Sequence, residues 1–207
     1  MRTWSDTAAT GAITGIELQC TVAGALAQAP LLDQTLSLSL GAVGDLDGDG
    51  DDDVVLFSSS HSRMVWLEQV HGVLQPALHP VAVFPTRTNV KVVGIDDMDG
   101  VNGTDVVALL DESVVVYYAS QGGGHFQPEQ FTPVYWTSPS IPALALGRLA
   151  SGARADLLVG LHSGALVVVA NIGAGLFGAP VTIATLPARV RHVAVADLNN
   201  DKRDDVV

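Results

Sequence analysis

The feature that most constrains the fold is a repeat with a period of about 50 residues. Four segments share the pattern of an Asp followed by two aliphatic residues, and a short loop precedes each of them. They begin at Asp53, Asp105, Asp156 and Asp205, which lie 52, 51 and 49 residues apart. A period of this length indicates a repeat architecture, in which one supersecondary unit recurs along the chain.

Between these segments the hydrophobic pattern is typical of short strands. In the first unit, residues 54–57, 64–67 and 81–84 are apolar runs of strand length bounded by turn residues. The later units repeat these runs at 106–110, 114–118 and 131–135, and at 157–161, 166–169 and 181–184. With the strand before each Asp loop, every unit has four strands, the size of a propeller blade. No helix-length amphipathic pattern intervenes, which disfavours a parallel β/α fold.

The sequence therefore predicts an all-β fold, a β-propeller of four-stranded antiparallel blades, with about three complete blades and partial blades at both ends. We expect blades at about residues 36–86, 87–138 and 139–187, and a partial blade at 188–207. Residues 1–35 are expected to be part of a preceding blade or a leader. Because propellers have at least about four blades, we predict a fragment of a longer protein whose remaining blades are partners of these.

The acidic residues are concentrated in the loops of the repeat. The chain has 22 acidic and 10 basic residues, a formal charge of −12, and 15 of the acidic residues lie in four short windows. Carboxylates at this density repel one another unless a cation lies among them. No basic stripe is available to meet phosphates, so we expect no nucleic-acid partner.

The first loop, residues 45–53, predicts a calcium site. Its oxygens at positions 1, 3, 5, 7 and 9 can point inward, position 7 through its backbone carbonyl: Asp45, Asp47, Asp49, Asp51 and Asp53. Calcium takes about six to eight hard oxygen ligands in a flexible shell, whereas zinc prefers the His and Cys that this loop lacks. An EF-hand is excluded because position 12 is Leu56 where that motif needs a bidentate Glu.

Two further loops keep part of this ligand set. The fourth loop, 197–205, keeps all of its positions, with a carbonyl at position 7: Asp197, Asn199, Asp201, Arg203 and Asp205. The second loop, 97–105, keeps Asp97, Asp99 and Asp105, but position 5 is Val101 and Asn102 is the candidate replacement ligand. We expect calcium in both loops, more weakly in the second.

The third loop, 148–156, has lost every ligand except Asp156. Arg148 or Arg154 is expected to place a guanidinium where the ion would lie and to pair with that carboxylate. This loop is therefore predicted to be free of metal.

The first loop, read together with Asp53 and the two valines after it, resembles the FG-GAP/VCBS repeat of integrin α-chain propellers and many bacterial secreted proteins. The segments Gly-His-Phe-Gln-Pro at 124–128 and Gly-Leu-Phe-Gly-Ala-Pro at 175–180 are similar to the Phe-Gly and Gly-Ala-Pro pieces of that family. The resemblance implies a propeller whose calcium loops join the first and second strands of each blade.

The combined pattern predicts a calcium-binding module for extracellular or cell-surface recognition of a protein or a glycan. The calcium is expected to be structural, because each ligand set comes from one loop and no base or nucleophile accompanies it. Recognition is assigned to the face opposite the calcium loops, with Arg87 and Trp136 as candidate ligand contacts. The chain is predicted not to be an enzyme. The alternative is the non-catalytic propeller portion of a secreted polysaccharide lyase or phospholipase-like hydrolase.

Overall fold

The computed structural model describes residues 21–22, 25–26, 38–58, 61–85, 88–111, 114–127, 130–131, 141, 143–150, 154–201 and 203–207. Every regular element in these ranges is a β-strand, which confirms the predicted all-β class. None of the described segments forms a helix that could span a bilayer. The strands are β1 (Thr21–Val22), β2 (Ala25–Leu26), β3 (Leu38–Gly44), β4 (Asp53–Ser58), β5 (Arg63–Leu67), β6 (Gln69–Val70), β7 (Val73–Leu74), β8 (His79–Val83), β9 (Val90–Asp96), β10 (Asp105–Leu110), β11 (Val114–Tyr118), β12 (Ser120–Gly122), β13 (His125–Phe126), β14 (Gln130–Phe131), β15 (Ala143–Gly147), β16 (Asp156–Gly160), β17 (Ala165–Val169), β18 (Asn171–Gly173), β19 (Leu176–Phe177), β20 (Val181–Thr185), β21 (Val195–Ala196) and β22 (Asp205–Val206).

Each complete repeat unit forms one four-stranded antiparallel sheet. The first sheet has the order β3-β4-β5-β8, the second β9-β10-β11-β14 and the third β15-β16-β17-β20. The predicted strands fall where the apolar runs placed them, because β-branched and aromatic residues fill both faces of the central strands. The fourth strand of the second sheet is described only at Gln130–Phe131, and the rest of its predicted run, 132–135, lies outside the described residues.

Three short hairpins, which the sequence analysis did not predict, lie between the third and fourth strands of the sheets. They pair β6 with β7, β12 with β13 and β18 with β19. Each turns through residues with positive φ, such as Gly124 (φ 70°) and Gly175 (φ 70°). The indole N–H of Trp66 donates to the Gly124 carbonyl at 3.1 Å, and the Tyr117 hydroxyl contacts Gly175. Each of these two hairpins therefore holds the third strand of the preceding sheet.

The sheets pack face to face, and most of the hydrophobic core lies between them. Between the first and second sheets, Val55, Phe57 and Trp66 pack against Val106 and Val116. A second cluster between the second and third sheets is built in the same way, from Val107, Leu109, Val115, Tyr117, Leu144, Leu157, Val159, Val167 and Val169. The fold is therefore a succession of stacked sheets, and the second sheet is buried on both faces.

The first strands of successive units lie side by side. Strand β3 contacts β9, β9 contacts β15, and β15 contacts β21. Strands β3, β9 and β15 line a shared cavity of about 460 Å³, to which Val43, Lys91 and Asp96 contribute, and His192 adds to it from the segment before β21. Because every Asp loop follows a first strand, the four loops project from corresponding ends of their units.

Candidate metal-binding loops

The first loop is a tight turn that points its carboxylates at one another. The Asp45 carboxylate accepts hydrogen bonds from the backbone N–H groups of Gly48 at 2.7 Å and Gly50 at 3.1 Å. Both glycines have positive φ, 87° and 92°, which L residues rarely adopt. The oxygens of Asp45, Asp47 and Asp49 come within 4.8 Å of one another. Three carboxylates this close form a donor set suited to a hard cation.

The second loop brings together a similar group despite its altered sequence. The oxygens of Asp97, Asp99 and Asp105 also lie within 4.8 Å of one another. Val101, at position 5, is exposed and contributes no side-chain oxygen. Asn102 adopts φ 61° and its backbone carbonyl accepts a 3.0 Å hydrogen bond from the Ser120 hydroxyl. The structure thus assigns Asn102 a turn role, and its part as a metal ligand stays a prediction.

The Asp at position 9 ties its loop to the third strand of its own sheet. Its two carboxylate oxygens accept the backbone N–H of position 2 and the N–H of a residue just beyond the third strand. The pairs are Leu46 at 2.9 Å and Gln69 at 2.8 Å on Asp53, Met98 at 2.8 Å and Ser120 at 2.7 Å on Asp105, and Leu149 at 3.0 Å and Asn171 at 2.8 Å on Asp156. This explains why Asp156 persists where the other ligands are lost.

The hydrophobic residue at position 2 is a functional position that the sequence analysis missed. Leu46 is 2% exposed in the core between the first and second sheets, and Met98 is 0% exposed between the second and third. Leu198, in the fourth loop, is 67% exposed. A hydrophobic residue stands at this position in all four loops, a signal visible in the sequence. It anchors the first two loops to the next sheet.

The third loop does not form the ion pair expected for it. Within the described chain, neither Arg148 nor Arg154 comes within 4 Å of the Asp156 carboxylate, which accepts backbone N–H groups instead. The Arg154 guanidinium lies on the second loop, in contact with Gly100. Asn171, in the hairpin of the third unit, also donates its side-chain N–H to the Met98 carbonyl at 3.0 Å. The third unit therefore holds the second loop from two sides.

Over the described residues, the fourth loop is the most exposed of the four. The N–H of Asp201 is shared between Asn199 at 2.8 Å and Asp197 at 3.2 Å, and the N–H of Arg203 donates to Asp201 at 2.8 Å. Among the described residues, groups of three close carboxylates occur in the first and second loops and not here. Asp205 still accepts the position 2 N–H at 3.0 Å. The metal ligands of this loop stay a prediction.

Burial raises the pKa of the position 9 carboxylates in the first two loops. Desolvation raises the pKa of Asp105 to about 6, backbone hydrogen bonds oppose the shift, and the charges of Asp99 and Asp97 add to it. The pKa of Asp53 is raised for the same first cause. A cation among these carboxylates would favour their charged forms and reverse the shift.

The two predicted ligand contacts on the opposite face, Arg87 and Trp136, lie outside the described residues. The described part of that face consists of tight connections between strands. The N–H of Phe84 donates to the Ser62 carbonyl at 2.7 Å, and the N–H of Asn89 donates to the Asp111 carboxylate at 2.8 Å. This end of the sheets is thus ordered by its own backbone contacts.

No known protein family and no curated protein matches the chain. Among solved structures, it is similar to a lectin from Agrocybe aegerita that recognises non-reducing terminal N-acetylglucosamine, with a TM-score of 0.66 and 15% identity over 94% of this chain and 55% of the lectin. It is also similar to the Tc holotoxin pore of Photorhabdus luminescens, with a TM-score of 0.56 and 20% identity over 79% of this chain and 8% of that chain. The chain thus spans about half the length of the lectin. At these identities the likeness shows the β fold alone.

Proposed function

We propose that this chain is a calcium-binding β-propeller module of the FG-GAP/VCBS kind, used outside the cell to recognise a protein or a glycan, with structural calcium. The observation that carries the proposal is the convergence of carboxylates in the same connection of two successive sheets. Asp45, Asp47 and Asp49 meet in the first, and Asp97, Asp99 and Asp105 meet in the second.

The stacking of the sheets supports a propeller. Four first strands follow one another side by side, and three of them, β3, β9 and β15, face a common cavity, as the innermost strands of blades do. The likeness to the lectin extends over 94% of the chain. This chain covers 55% of that lectin, which fits a ring with further blades.

The chemistry of the donor groups favours calcium. Each group consists of carboxylate oxygens without His or Cys. The ligands come from one partly exposed loop, and carboxylates grouped in this way suit the loose shell of calcium better than the strict octahedron of magnesium.

A structural role for the ion is supported by what the first two loops hold. Position 9 ties the loop to the third strand of its own sheet, and position 2 inserts into the core of the next sheet. An ion that closes the loop therefore stabilises the packing of neighbouring sheets. Without an ion, the carboxylates of the loop repel one another. Binding to the folded state alone then stabilises it by mass action.

The recognition role is assigned to the end of the sheets opposite the metal loops. The candidate contacts Arg87 and Trp136 are assigned to that end from their sequence positions alone, and residues of these types are enriched at binding hot spots. A lectin of similar fold recognises a terminal sugar, so this architecture is suited to reading glycans. We place the protein at the cell surface or in the extracellular space, where calcium is abundant.

Thermal melting in calcium and in chelator tests the metal part of the proposal. Saturating calcium is expected to raise Tm, and Asp45→Asn and Asp97→Asn are each expected to remove part of the rise. Asp52→Asn, an exposed carboxylate beside the first group, is the matched control and is expected to leave the rise intact. A Tm that is the same in calcium and in chelator would contradict the proposal.

A glycan array tests the recognition part, using the calcium-loaded protein. We expect binding that Trp136→Ala and Arg87→Ala weaken at least tenfold, without any change in Tm. A protein that binds no glycan on the array is tested next for a protein ligand, by cross-linking on cell surfaces. Binding that survives both substitutions would overturn the assignment of this face.

A further inference from the structure

A cation of the third unit lies against the second loop. The Arg154 guanidinium is placed between Gly100 of that loop and Gly173 of the hairpin that pairs β18 with β19. A Cβ added at Gly100 would overlap the guanidinium, and one added at Gly173 would lie 3.1 Å from one of its nitrogens. Both glycines have positive φ, 87° and 100°, so neither position favours a residue with a Cβ. The space beside position 4 of the second loop is therefore filled by a positive charge from the next unit.

The equivalent space beside the first loop is open. Gly48 holds position 4 of that loop, and Gly122 holds the place of Gly173 in the hairpin that pairs β12 with β13. A Cβ added at Gly48 or Gly122 would meet no described atom within 4 Å. The counterpart of Arg154, at position 7 of the following loop, is Gly103, which has no side chain to reach across. Among the described residues, a cation of the following unit thus stands beside the second loop and not beside the first.

The guanidinium is close to the carboxylates of the second loop without pairing with them. The N–H of Gly100, the residue that the guanidinium covers, donates to the Asp97 carboxylate at 2.5 Å. No described carboxylate lies within 4 Å of the guanidinium nitrogens. The positive charge is therefore held beside the group formed by Asp97, Asp99 and Asp105 and does not occupy their oxygens.

We propose that Arg154 determines how tightly the second loop binds calcium. Its charge partly neutralises the three carboxylates when no ion is present, and it repels an ion that enters. The inference rests on the proposed calcium-binding function. Arg154 is only partly buried, so water and salt weaken both effects without removing them at a separation of several ångström. The second loop then fills at higher calcium concentrations than the first.

Charge variants of Arg154 test the inference by isothermal titration with calcium. The background is Asp45→Asn, which disables the first loop, and Asp97→Asn identifies the binding event that belongs to the second loop. Arg154→Gln is expected to tighten that event about tenfold, the effect of a unit charge several ångström from a divalent ion in water. Arg154→Lys keeps the charge and is expected to leave the affinity near that of the wild-type residue. Arg191→Gln removes the charge of an exposed residue before β21, controls for net charge, and is expected to change nothing.

Melting in chelator gives a readout that does not involve the metal. Arg154→Gln is expected to lower Tm by about 1–4 °C at low salt, because the carboxylates lose their neighbouring cation, and by less at about 0.5 M salt. Combining it with Asp99→Asn separates charge from packing. Once the Asp99 charge is removed, the loss caused by Arg154→Gln is expected to shrink.

The outcomes distinguish this inference from the proposed function. No calcium binding by the wild-type protein or by any variant would refute the calcium function, and the affinity role of Arg154 with it. Binding that Asp97→Asn alters, with the same second-loop affinity for Arg, Gln and Lys at position 154, would overturn the role of Arg154 alone. Equal tightening by Gln and Lys would assign the effect to shape and not to charge, and would also overturn it. A second-loop event that appears only with Arg154→Gln would support it, because the guanidinium then excludes the ion from the wild-type loop.

Discussion

The Asp at position 9 has two roles, as a hydrogen-bond acceptor and as a predicted metal ligand. Substituting it in the second loop, where three carboxylates converge, and in the third loop, where they do not, separates these roles. Asp105 and Asp156 are both fully buried, and each uses both carboxylate oxygens to accept backbone N–H groups. Asn has only one acceptor oxygen, so Asp105→Asn and Asp156→Asn each turn an NH₂ group toward a backbone donor. The two variants therefore share the loss of structure, and only the first alters a predicted metal site.

The size of the structural loss follows from the hydrogen bonds. A buried donor left unpaired costs about 1–3 kcal/mol. In a chain of this size each kcal/mol shifts Tm by about 2–4 °C, so both variants are expected to melt lower in chelator, by roughly 2–12 °C. Asp105→Asn is expected to be the milder of the two without metal. It removes a charge that burial and the neighbouring Asp97 and Asp99 already disfavour, as the raised pKa of about 6 indicates.

Calcium distinguishes the two variants. At 100 times the dissociation constant, an ion that binds only the folded state adds about 2.7 kcal/mol. The wild-type protein and Asp156→Asn are expected to show the same calcium-dependent increase in the free energy of unfolding. Asp105→Asn is expected to lose the part of that increase that comes from the ion in the second loop. Calorimetry of the three proteins in calcium and in chelator measures these differences. Equal calcium gains in all three would refute the ligand role of Asp105, and wild-type stability of both variants in chelator would refute the hydrogen-bonding role.

Three further predictions follow from packing and from charge. Gly124→Ala would drive a methyl group into the Trp66 ring, whereas the neighbouring Gly123, also at positive φ, has open space around it. In urea unfolding, Gly123→Ala is expected to lower the free energy of unfolding by roughly 1–2 kcal/mol, and Gly124→Ala by clearly more. Leu46→Ala is expected to cost about 2–5 kcal/mol and Leu198→Ala less than about 0.5 kcal/mol, although both stand at position 2. In chelator, Asp105 binds its proton more tightly in the folded than in the unfolded protein, because its pKa is raised from 3.8 to about 6. Its contribution to the free energy of unfolding is therefore expected to fall as the pH rises from about 4 to about 6. A contribution that rises over this pH range would contradict the prediction.

The sheets could be predicted because their signal is local and repeated. Runs such as 54–57 and 157–161 are long enough to show strand length and β-branched composition, and the 50-residue period aligns them. The hairpins that pair β12 with β13 and β18 with β19 have strands of only two or three residues. No periodicity can be read over that length, so they stayed hidden although the motif segments that start at Gly124 and Gly175 begin in them.

For the Asp loops, the sequence predicted which residues carry ligand oxygens, but not which of these oxygens come together in the structure. Counting oxygens ranks the fourth loop above the second, whereas the described structure gathers the carboxylates of the second. The reason is packing: Met98 is buried by the third sheet, and Arg154 and Asn171 hold the loop from a unit more than 50 residues away along the chain. Contacts between residues so far apart along the chain leave no local pattern in the sequence. The hydrophobic residue at position 2 of each loop is the one sequence feature that indicates them.

Isothermal titration of the metal-free protein with calcium, beside the Asp45→Asn and Asp97→Asn variants, tests the central claim most directly. The account predicts at least one ion for each of the two groups of three carboxylates. Each substitution is expected to remove or weaken one binding event and to leave the other. Heat that is indistinguishable from dilution in the wild-type protein, or binding that neither substitution alters, would contradict the account.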